Sequence, residues 1–259
     1  MTEENQIKVS FLGTGTSTGV PVIACNCPAC KSNDFRDTRL RTSALIQVNN
    51  KKFVIDCGPD FRQQMLKANV DDINAVLLTH EHRDHTSGLD DLRAFNYILN
   101  KPIELYATEK VINSIKTQFP YIFEEKKYIG ALRINIHLID KNPFNIEGVT
   151  FIPIEVKHKD MSVLGFRIGD FTYITDASFI SEDEKNKIKG SKVVVINALR
   201  KSKHISHFSI SEAVDFLNEI KPERGYLTHL SHFAGLHKEI EEVTPPFIHP
   251  ANDGLTIFI

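Results

Sequence analysis

The sequence predicts an α/β fold carried by one domain over residues 1–259, and three observations predict it. Short apolar runs with the alternation or β-branched content of strands recur along the chain, with amphipathic helical patterns set between them. Several of these strand-like runs end in a polar residue of metal-binding type, where α/β folds commonly place their chemistry. No repeat, low-complexity linker or long charge block interrupts the alternation, so a single large core is expected at this length.

Taken in order, "IKVSFLG", "SALIQVNN" and "KKFVIDCG" read as strands, the last two joined as a hairpin over "NNK". A helix from about Pro59 to Ala68 follows, and then the strand "NAVLLT". Ser87 with Asp90 three residues on resembles a capping box that opens a helix through about Leu99. Ser181 with Glu184 and Ser209 with Glu212 repeat that signal. After Ser209, the residues Ile210, Ala213, Val214, Leu217 and Ile220 share one helical face. The remaining strands are "IELYA", "RINIHLI", "VTFIPIEVKH", "SVLGFRI", "FTYITD", "KVVVINA" and "RGYLTH".

Hydrophobic residues make up 41% and charged residues 25%, and the net charge is -2. That balance gives no basic field to draw nucleic acid nonspecifically. The N-terminus is polar and acidic, and no run of about 18 apolar residues occurs, so a cytoplasmic protein with no membrane partner is expected.

The stretch "LLTHEHRDHTSGL" gathers His80, His82, Asp84 and His85 directly behind a strand. In an extended loop His80 and His82, two residues apart, point to one side, while Asp84 and His85 reach around the following turn. One loop can thus offer ligands to two adjacent ions, and imidazole with carboxylate suits Zn²⁺, Fe²⁺ or Mn²⁺. A solvated polar loop is the plain alternative. His158, Asp176 and His229 follow other strands, and each alone would be an ordinary strand-end residue.

Cys25, Cys27 and Cys30 form C-x-C-x-x-C, whereas a disulfide framework would spread its cysteines along the chain. Three thiolates this close can converge on one tetrahedral ion, with a fourth ligand from elsewhere. Free or redox-active thiols are the alternative. Cys57 reads as a small buried residue.

As an ordered set, H-x-H-x-D-H followed by a lone His, a lone Asp and a lone His resembles the metallo-β-lactamase superfamily over nearly the whole chain. The resemblance implies a four-layer αββα sandwich with a site for two divalent ions, Zn or Mn, where the two sheets meet. It implies His80, His82 and His158 on one ion, Asp84, His85 and His229 on the other, and Asp176 bridging. Asp56 in "VIDCG" matches the superfamily's strand-end aspartate, which implies that it orients a ligand; a simple helix-capping or turn role is the alternative. His207 in "KHISHFSISEA" resembles the histidine that opens the equivalent helix in tRNA 3′-end endonucleases; this implies a general acid, with Asp84 as the second catalytic residue. His204 reads as a surface residue. The cysteine cluster resembles the additional structural zinc of the PhnP-type cyclic phosphate phosphodiesterases, which implies His232, three residues after His229, as its fourth ligand.

Two divalent ions offset by Asp84, Asp176 and a bridging hydroxide leave about +1, which favours an anionic substrate. A metal-coordinated water loses its proton at roughly pH 7, so hydrolysis of a small phosphate ester, cyclic ones included, is the expected activity. The rival is a tRNA 3′-end endonuclease, many of which carry a tRNA-gripping arm between the third-motif histidine and the fourth-motif aspartate. Here only "KDMSVLGFRIGDFTYIT" separates His158 from Asp176, enough for a hairpin, so nucleic acid is an unexpected partner. A β-lactamase reading lacks the cysteine and His207 motifs to support it, while a thiolester hydrolase stays open. A di-iron redox protein normally has Glu at the position of His82, and the PqqB-type proteins of quinone-cofactor synthesis depart from the complete ligand set. Related enzymes are commonly dimers, so a homodimer is expected.

Two stretches look like phosphate binders for weaker reasons. "GTGTSTG" has the spacing G-x-G-x-x-x-G and runs on into "VPVIACNCP" instead of a helix, so its glycines suit a tight turn beside the metals. "RKSKHISH" is basic, and such runs are usually solvated loops, with a phosphate-holding role as the alternative.

Overall fold

The computed structural model describes residues 6–124 and 128–259; residues 1–5 of the acidic N-terminal stretch lie outside the described residues. In the first half of the chain, β1 (Lys8–Gly13), β2 (Ser43–Val48), β3 (Lys51–Ile55), β4 (Ala75–Leu77), β5 (Ile103–Ala107) and β6 (Ile134–Leu138) lie side by side in that order. The second half builds another sheet from β7 (Phe144–Ile146), β8 (Val149–His158), β9 (Met161–Ile168), β10 (Phe171–Tyr173), β11 (Phe179–Ile180), β12 (Val193–Asn197), β13 (Arg224–Thr228) and β14 (Ile248–Pro250). Its order is β11-β8-β9-β10-β12-β13-β14, with β7 alongside β8. The last strand, β15 (Thr256–Phe258), returns to pair with β1.

Each sheet is antiparallel near its hairpins and parallel beyond them. The hairpin between β2 and β3 turns on Asn49 and Asn50, both at positive φ, which matches the right-handed twist of the strands and which asparagine tolerates. The parallel steps β3-β4, β4-β5 and β5-β6 need crossovers. Helices α1 (Phe61–Lys67), α2 (Arg83–Thr86), α3 (Arg93–Leu99) and α4 (Glu109–Gln118) supply them, and α5 (Glu182–Ile188), α6 (Ile210–Ile220) and α7 (His237–Val243) cover the second sheet.

Three apolar seams separate four layers. Between the sheets lie Phe11, Phe53, Phe151, Phe166 and Tyr173, with the rings of Phe53 and Phe151 edge-on at 5.1 Å. On the outer face of the first sheet, Val54, Val76 and Leu105 meet Phe61, Phe95 and Ile112 of the helices. On the outer face of the second, Val194, Ile196 and Leu227 meet Ile210, Ala213 and Leu217 of α6. Burying each large side chain in these seams stabilises the fold by roughly 1.5–3 kcal/mol. The architecture is the four-layer αββα sandwich.

The caps divide two to one. Ser181 and Ser209 accept from the backbone of Glu184 and Glu212, and Ser209 completes a capping box with the Glu212 side chain. Ser87 does not cap: it ends α2, and the chain passes through a 3₁₀ turn at Leu89–Leu92 before α3 begins. The cause is tertiary. A Cβ on Gly88 would meet the Gly58 carbonyl oxygen at 2.1 Å and Phe61 Cβ at 2.7 Å, so this segment is pressed against the turn into α1 and cannot extend as one helix. Helices α4, capped by Thr108, and α7 are additions to the sequence reading.

Candidate metal centre

The candidate ligands sit at or just past strand ends, except Asp84 and His85, which lie on α2. His80 follows β4, His158 closes β8, Asp176 follows β10 and His229 follows β13; Asp56 follows β3. Asp56, Asp176 and His229 have φ values of 62, 55 and 56, a left-handed conformation that costs of order 1–3 kcal/mol at each non-glycine residue. These turns, one on the first sheet and two on the second, bring strand-end side chains together where the two sheets meet.

Asp176 lies at the middle of that point. Its Oδ2 is 3.2 Å from His85 Nε2 and its Oδ1 is 3.3 Å from His229 Nε2. Asp84 Oδ2 stands 3.3 Å from His85 Nε2 and 3.7 Å from His229 Nε2, so Asp84, His85 and His229 form one group. His80, His82 and His158 form the other side, with ring centroids 4.7 Å apart for His80–His82 and 5.2 Å for His82–His158. The structure thus brings together all seven residues singled out by the sequence, with His82 the most exposed of them at the mouth.

A second set of side chains fixes how these point. Asp56, fully buried, accepts from Thr79 N and Oγ1 and lies 2.6 Å from His85 Nδ1, leaving His85 Nε2 facing the centre. This is an orienting contact, which resolves the two roles open for Asp56. His158 Nδ1 donates to the Ser206 carbonyl at 2.7 Å. Thr175 Oγ1 donates to Asp176 Oδ2 at 2.6 Å. The sequence reading missed these threonines, although the signal was present: Thr79 and Thr175 immediately precede His80 and Asp176.

The charge balance fits cations. Burial works to lower the pKa of His85, but Asp176, Asp56 and Asp84 outweigh it and hold it well above the usual histidine range. Burial alone would raise Asp84 and Asp176, yet the neighbouring imidazoles keep both carboxylates well below their ordinary values. Buried His80 Nε2, His85 Nε2, His207 Nδ1 and both ring nitrogens of His229 have no hydrogen-bond partner. Orphaned imidazole nitrogens around carboxylates are the donor set that divalent ions of the zinc type accept.

His207 sits inside this cluster. Its ring lies 4.4 Å from that of His158 and 4.9 Å from that of His229, and its Nδ1 is 3.6 Å from Asp176 Oδ1. Burial pushes its pKa down to about 3. His204 is not a free surface residue as the sequence suggested: it is half-buried, its Nδ1 is 3.1 Å from Ser206 Oγ, and its ring is 5.4 Å from that of His207.

The cysteines find their fourth partner across the fold. His232 Nδ1 lies 3.2, 3.4 and 3.6 Å from the Sγ atoms of Cys25, Cys27 and Cys30. A hydrogen bond from the Cys30 backbone, opposed by burial, brings the Cys27 thiol down to about 6, while burial pushes Cys30 up to about 11. Three sulfurs and one imidazole suit a tetrahedral structural zinc. Cys57 is fully buried, as a small core residue.

The two glycine and basic stretches have local work. A Cβ on Gly13 would meet the Arg41 carbonyl oxygen at 2.0 Å, and Thr16 N donates to the Leu230 carbonyl, so this loop runs against the residue after His229. In the basic run, Arg200 Nη2 donates to the Lys203 carbonyl at 2.8 Å and Lys201 pairs with Glu239 at 3.0 Å. Between His158 and Asp176 stand only β9 and β10 with their turns, and no arm.

Comparison with known proteins bears on the family and the fold. A curated octanoyltransferase of Porphyromonas gingivalis is 41% identical over 252 residues, which cover 96% of this chain and 51% of that protein. The coenzyme PQQ synthesis protein B of Acinetobacter baumannii is 29% identical over 167 residues, 58% of this chain and 53% of that one. The chain therefore spans about half the length of the curated relatives it matches. A solved structure described as a new diphosphatase from the PhnP family superposes with a TM-score of 0.91 at 34% identity, covering 97% of both chains. The short form of human tRNase Z shares the fold at a TM-score of 0.71 and 19% identity, covering 96% of this chain and 98% of that one. The model of the Beta-lactamase superfamily domain matches residues 51–230, and the chain belongs to the metallo-β-lactamase superfamily.

Proposed function

We propose that this chain is a dinuclear metal-dependent phosphodiesterase, acting in the cytoplasm on a small phosphate ester, cyclic ones included. The observation that carries this reading is the gathering of His80, His85, His158 and His229 around Asp176, with Asp84 beside His85 and His229, His82 ring to ring with His80 and His158, and buried imidazole nitrogens without partners. The likeness to a PhnP-family diphosphatase, at 34% identity over nearly the whole of both chains, supports it. Zn or Mn held by these two sets would lower the pKa of a coordinated water and offset charge on the phosphoryl oxygens.

The chain's own residues would do the rest. Asp176 holds the two ligand sets in register, and Asp56 fixes which nitrogen His85 presents. His207 stands over the same space with its ring flanked by two candidate ligands. Burial, with the His229 and His158 imidazoles beside it, keeps it neutral, and an anionic phosphoryl group next to it would supply the negative charge that favours the imidazolium. From there it gives its proton to the departing alcohol. Cys25, Cys27, Cys30 and His232 would hold a structural zinc that ties the loop before β2 to the loop carrying His229.

The octanoyltransferase relative suggests acyl transfer as a second reading, but its match covers about half of that protein. Acyl transfer through a covalent intermediate needs a nucleophile at the site. Here Cys57 is buried with its thiol pushed up, and the other three thiols are gathered around His232.

The test of His207 uses the leaving group. With metal-loaded protein, His207→Ala should slow an alkyl phosphodiester at least about tenfold more than an activated p-nitrophenyl one, because only the alkoxide needs a proton to depart. Equal losses on both substrates would remove His207 from that role.

A further inference from the structure

We infer that the rim of the metal centre carries a second anion site, built from Arg41 and the turn over residues 16–19, so that the preferred substrate is a phosphate ester with a further anionic group, phosphate or carboxylate, at its far end. This deepens the phosphodiesterase reading and rests on it. Arg41 stands just before β2, whose first residue lies against the end of β3: Ser43 Oγ donates to the Ile55 and Asp56 carbonyls. Both ligand-bearing segments flank it. A Cβ on Gly58 would meet Arg41 Cβ at 3.6 Å and the Asp84 carbonyl oxygen at 1.9 Å. Gly15 bridges to Arg41 and also to Leu230, the residue after His229.

The guanidinium has donors to spare. Nη1 lies 3.2 Å from Asp60 Oδ2, and the same oxygen accepts from the Arg41 backbone amide at 2.8 Å, so Asp60 holds one corner of the fork. Nε is buried without a partner, and among the described residues Nη2 has none either. These two nitrogens share the edge of the guanidinium that grips a carboxylate or phosphate through two parallel bonds. A buried N–H without an acceptor costs stability, and an arginine that keeps this edge free on a part-exposed rim is suited to an anion arriving from solvent.

The loop beside it presents more donors. Gly19 N donates to the Thr16 carbonyl at 2.8 Å, which closes a turn with Ser17 and Thr18 at its exposed tip. Neither the Ser17 nor the Thr18 backbone amide has a partner among the described residues. Gly19, at φ 64, packs on the arginine: a Cβ there would lie 3.4 Å from Nη1 and 3.7 Å from Cδ. "GTGTSTG" thus runs into no helix, yet it sets two amides and two hydroxyls beside a guanidinium. Because this rim adjoins the segments of Asp84 and His229, a substrate spanning both would place its scissile phosphoryl group at the metals and its second anion at Arg41.

Two ligand pairs test this on the full chain loaded with Zn or Mn, one pair by turnover and one by binding. Alkyl p-nitrophenyl phosphates with and without a terminal phosphate, over a series of alkyl lengths, share one leaving group, so only the distal charge differs. The best phosphorylated member should show a KM at least about tenfold below that of its counterpart without the terminal phosphate. Arg41→Ala should close that gap in KM while the kcat ratio of the pair stays the same. Arg41→Lys should keep only part of the gap, because lysine retains the charge and loses the fork; wild-type metal content would show both variants folded. In calorimetry, alkanediol bisphosphates should bind at least about tenfold more tightly than alkyl monophosphates of the same length, and Arg41→Ala should again close the difference. No gap in either assay, or a gap that survives Arg41→Ala, overturns the anion site. Absence of turnover with the calorimetric gap intact overturns the phosphodiesterase reading and leaves the anion site standing.

Discussion

At the scale of single residues, the metal centre is a set of imidazoles and carboxylates whose protonation and aim are fixed by neighbours. Asp56→Asn removes the charge that orients His85, and metal affinity should fall by about 10- to 100-fold in a chelator-competition titration. In the cysteine cluster the sign follows from the thiol shifts. With Cys27 near 6 and Cys30 near 11, metal-free protein at pH 7 holds Cys27 as thiolate and Cys30 as thiol. Iodoacetamide should therefore label Cys27 first, its labelling should fade as pH falls through about 6, and zinc should protect both, all readable by peptide mass spectrometry. The ligands were legible because their spacing is written in the chain: H-x-H-x-D-H is contiguous, and the other three close strand-like runs. The residues that aim them were only partly legible: Asp56 is marked by the resemblance and Thr175 stands directly before Asp176, whereas the Ser206 carbonyl acts across the fold, which no local pattern records. His204 was misread for the same reason: a basic neighbourhood suggested solvent, and its packing beside His207 comes from a loop closed by Arg200 on its own carbonyls.

At the scale of elements, the two serine signals separate a real cap from an apparent one. Ser209→Ala removes a capping box on the face that buries Ile210, Ala213 and Leu217, and should cost about 1 kcal/mol in denaturant unfolding. Ser87→Ala should cost no more than about 0.5 kcal/mol, because Ser87 caps nothing. Equal costs would mean that the helix boundary near Gly88 is misplaced. The sequence specified α6 because cap and apolar face agree, whereas at Ser87 the local signal yields to the packing of Gly88 on Gly58 and Phe61. Gly58 shows the same pressure from the other side: a Cβ there would meet the Asp84 carbonyl oxygen at 1.9 Å. Gly58→Ala should displace the segment bearing Asp84 and His85, with metal content falling in elemental analysis while far-UV dichroism stays near wild type.

At the scale of the whole molecule, the alternation of strands and helices was readable, but their order in space was not. Pairing β15 with β1 and setting two sheets face to face join residues from opposite ends of the chain, and only the ordered ligand set pointed to that arrangement before the structure did. The same long-range closure would make bound metal a structural element. His229 and His232 belong to one loop, so the two centres are linked, and ions that bind only the folded chain stabilise it by mass action, by about 4 kcal/mol at a thousandfold excess over the dissociation constant. Exhaustive chelation should therefore lower the melting temperature, and Cys27→Ser should remove part of that drop. The central claim, that these ligands serve phosphodiester hydrolysis, is tested most directly by turnover of bis(p-nitrophenyl) phosphate by Zn- or Mn-loaded protein beside Asp176→Ala. The account predicts metal-dependent turnover that falls at least about a hundredfold in the variant. No turnover by the fully loaded wild type, or turnover unchanged in Asp176→Ala, would contradict it.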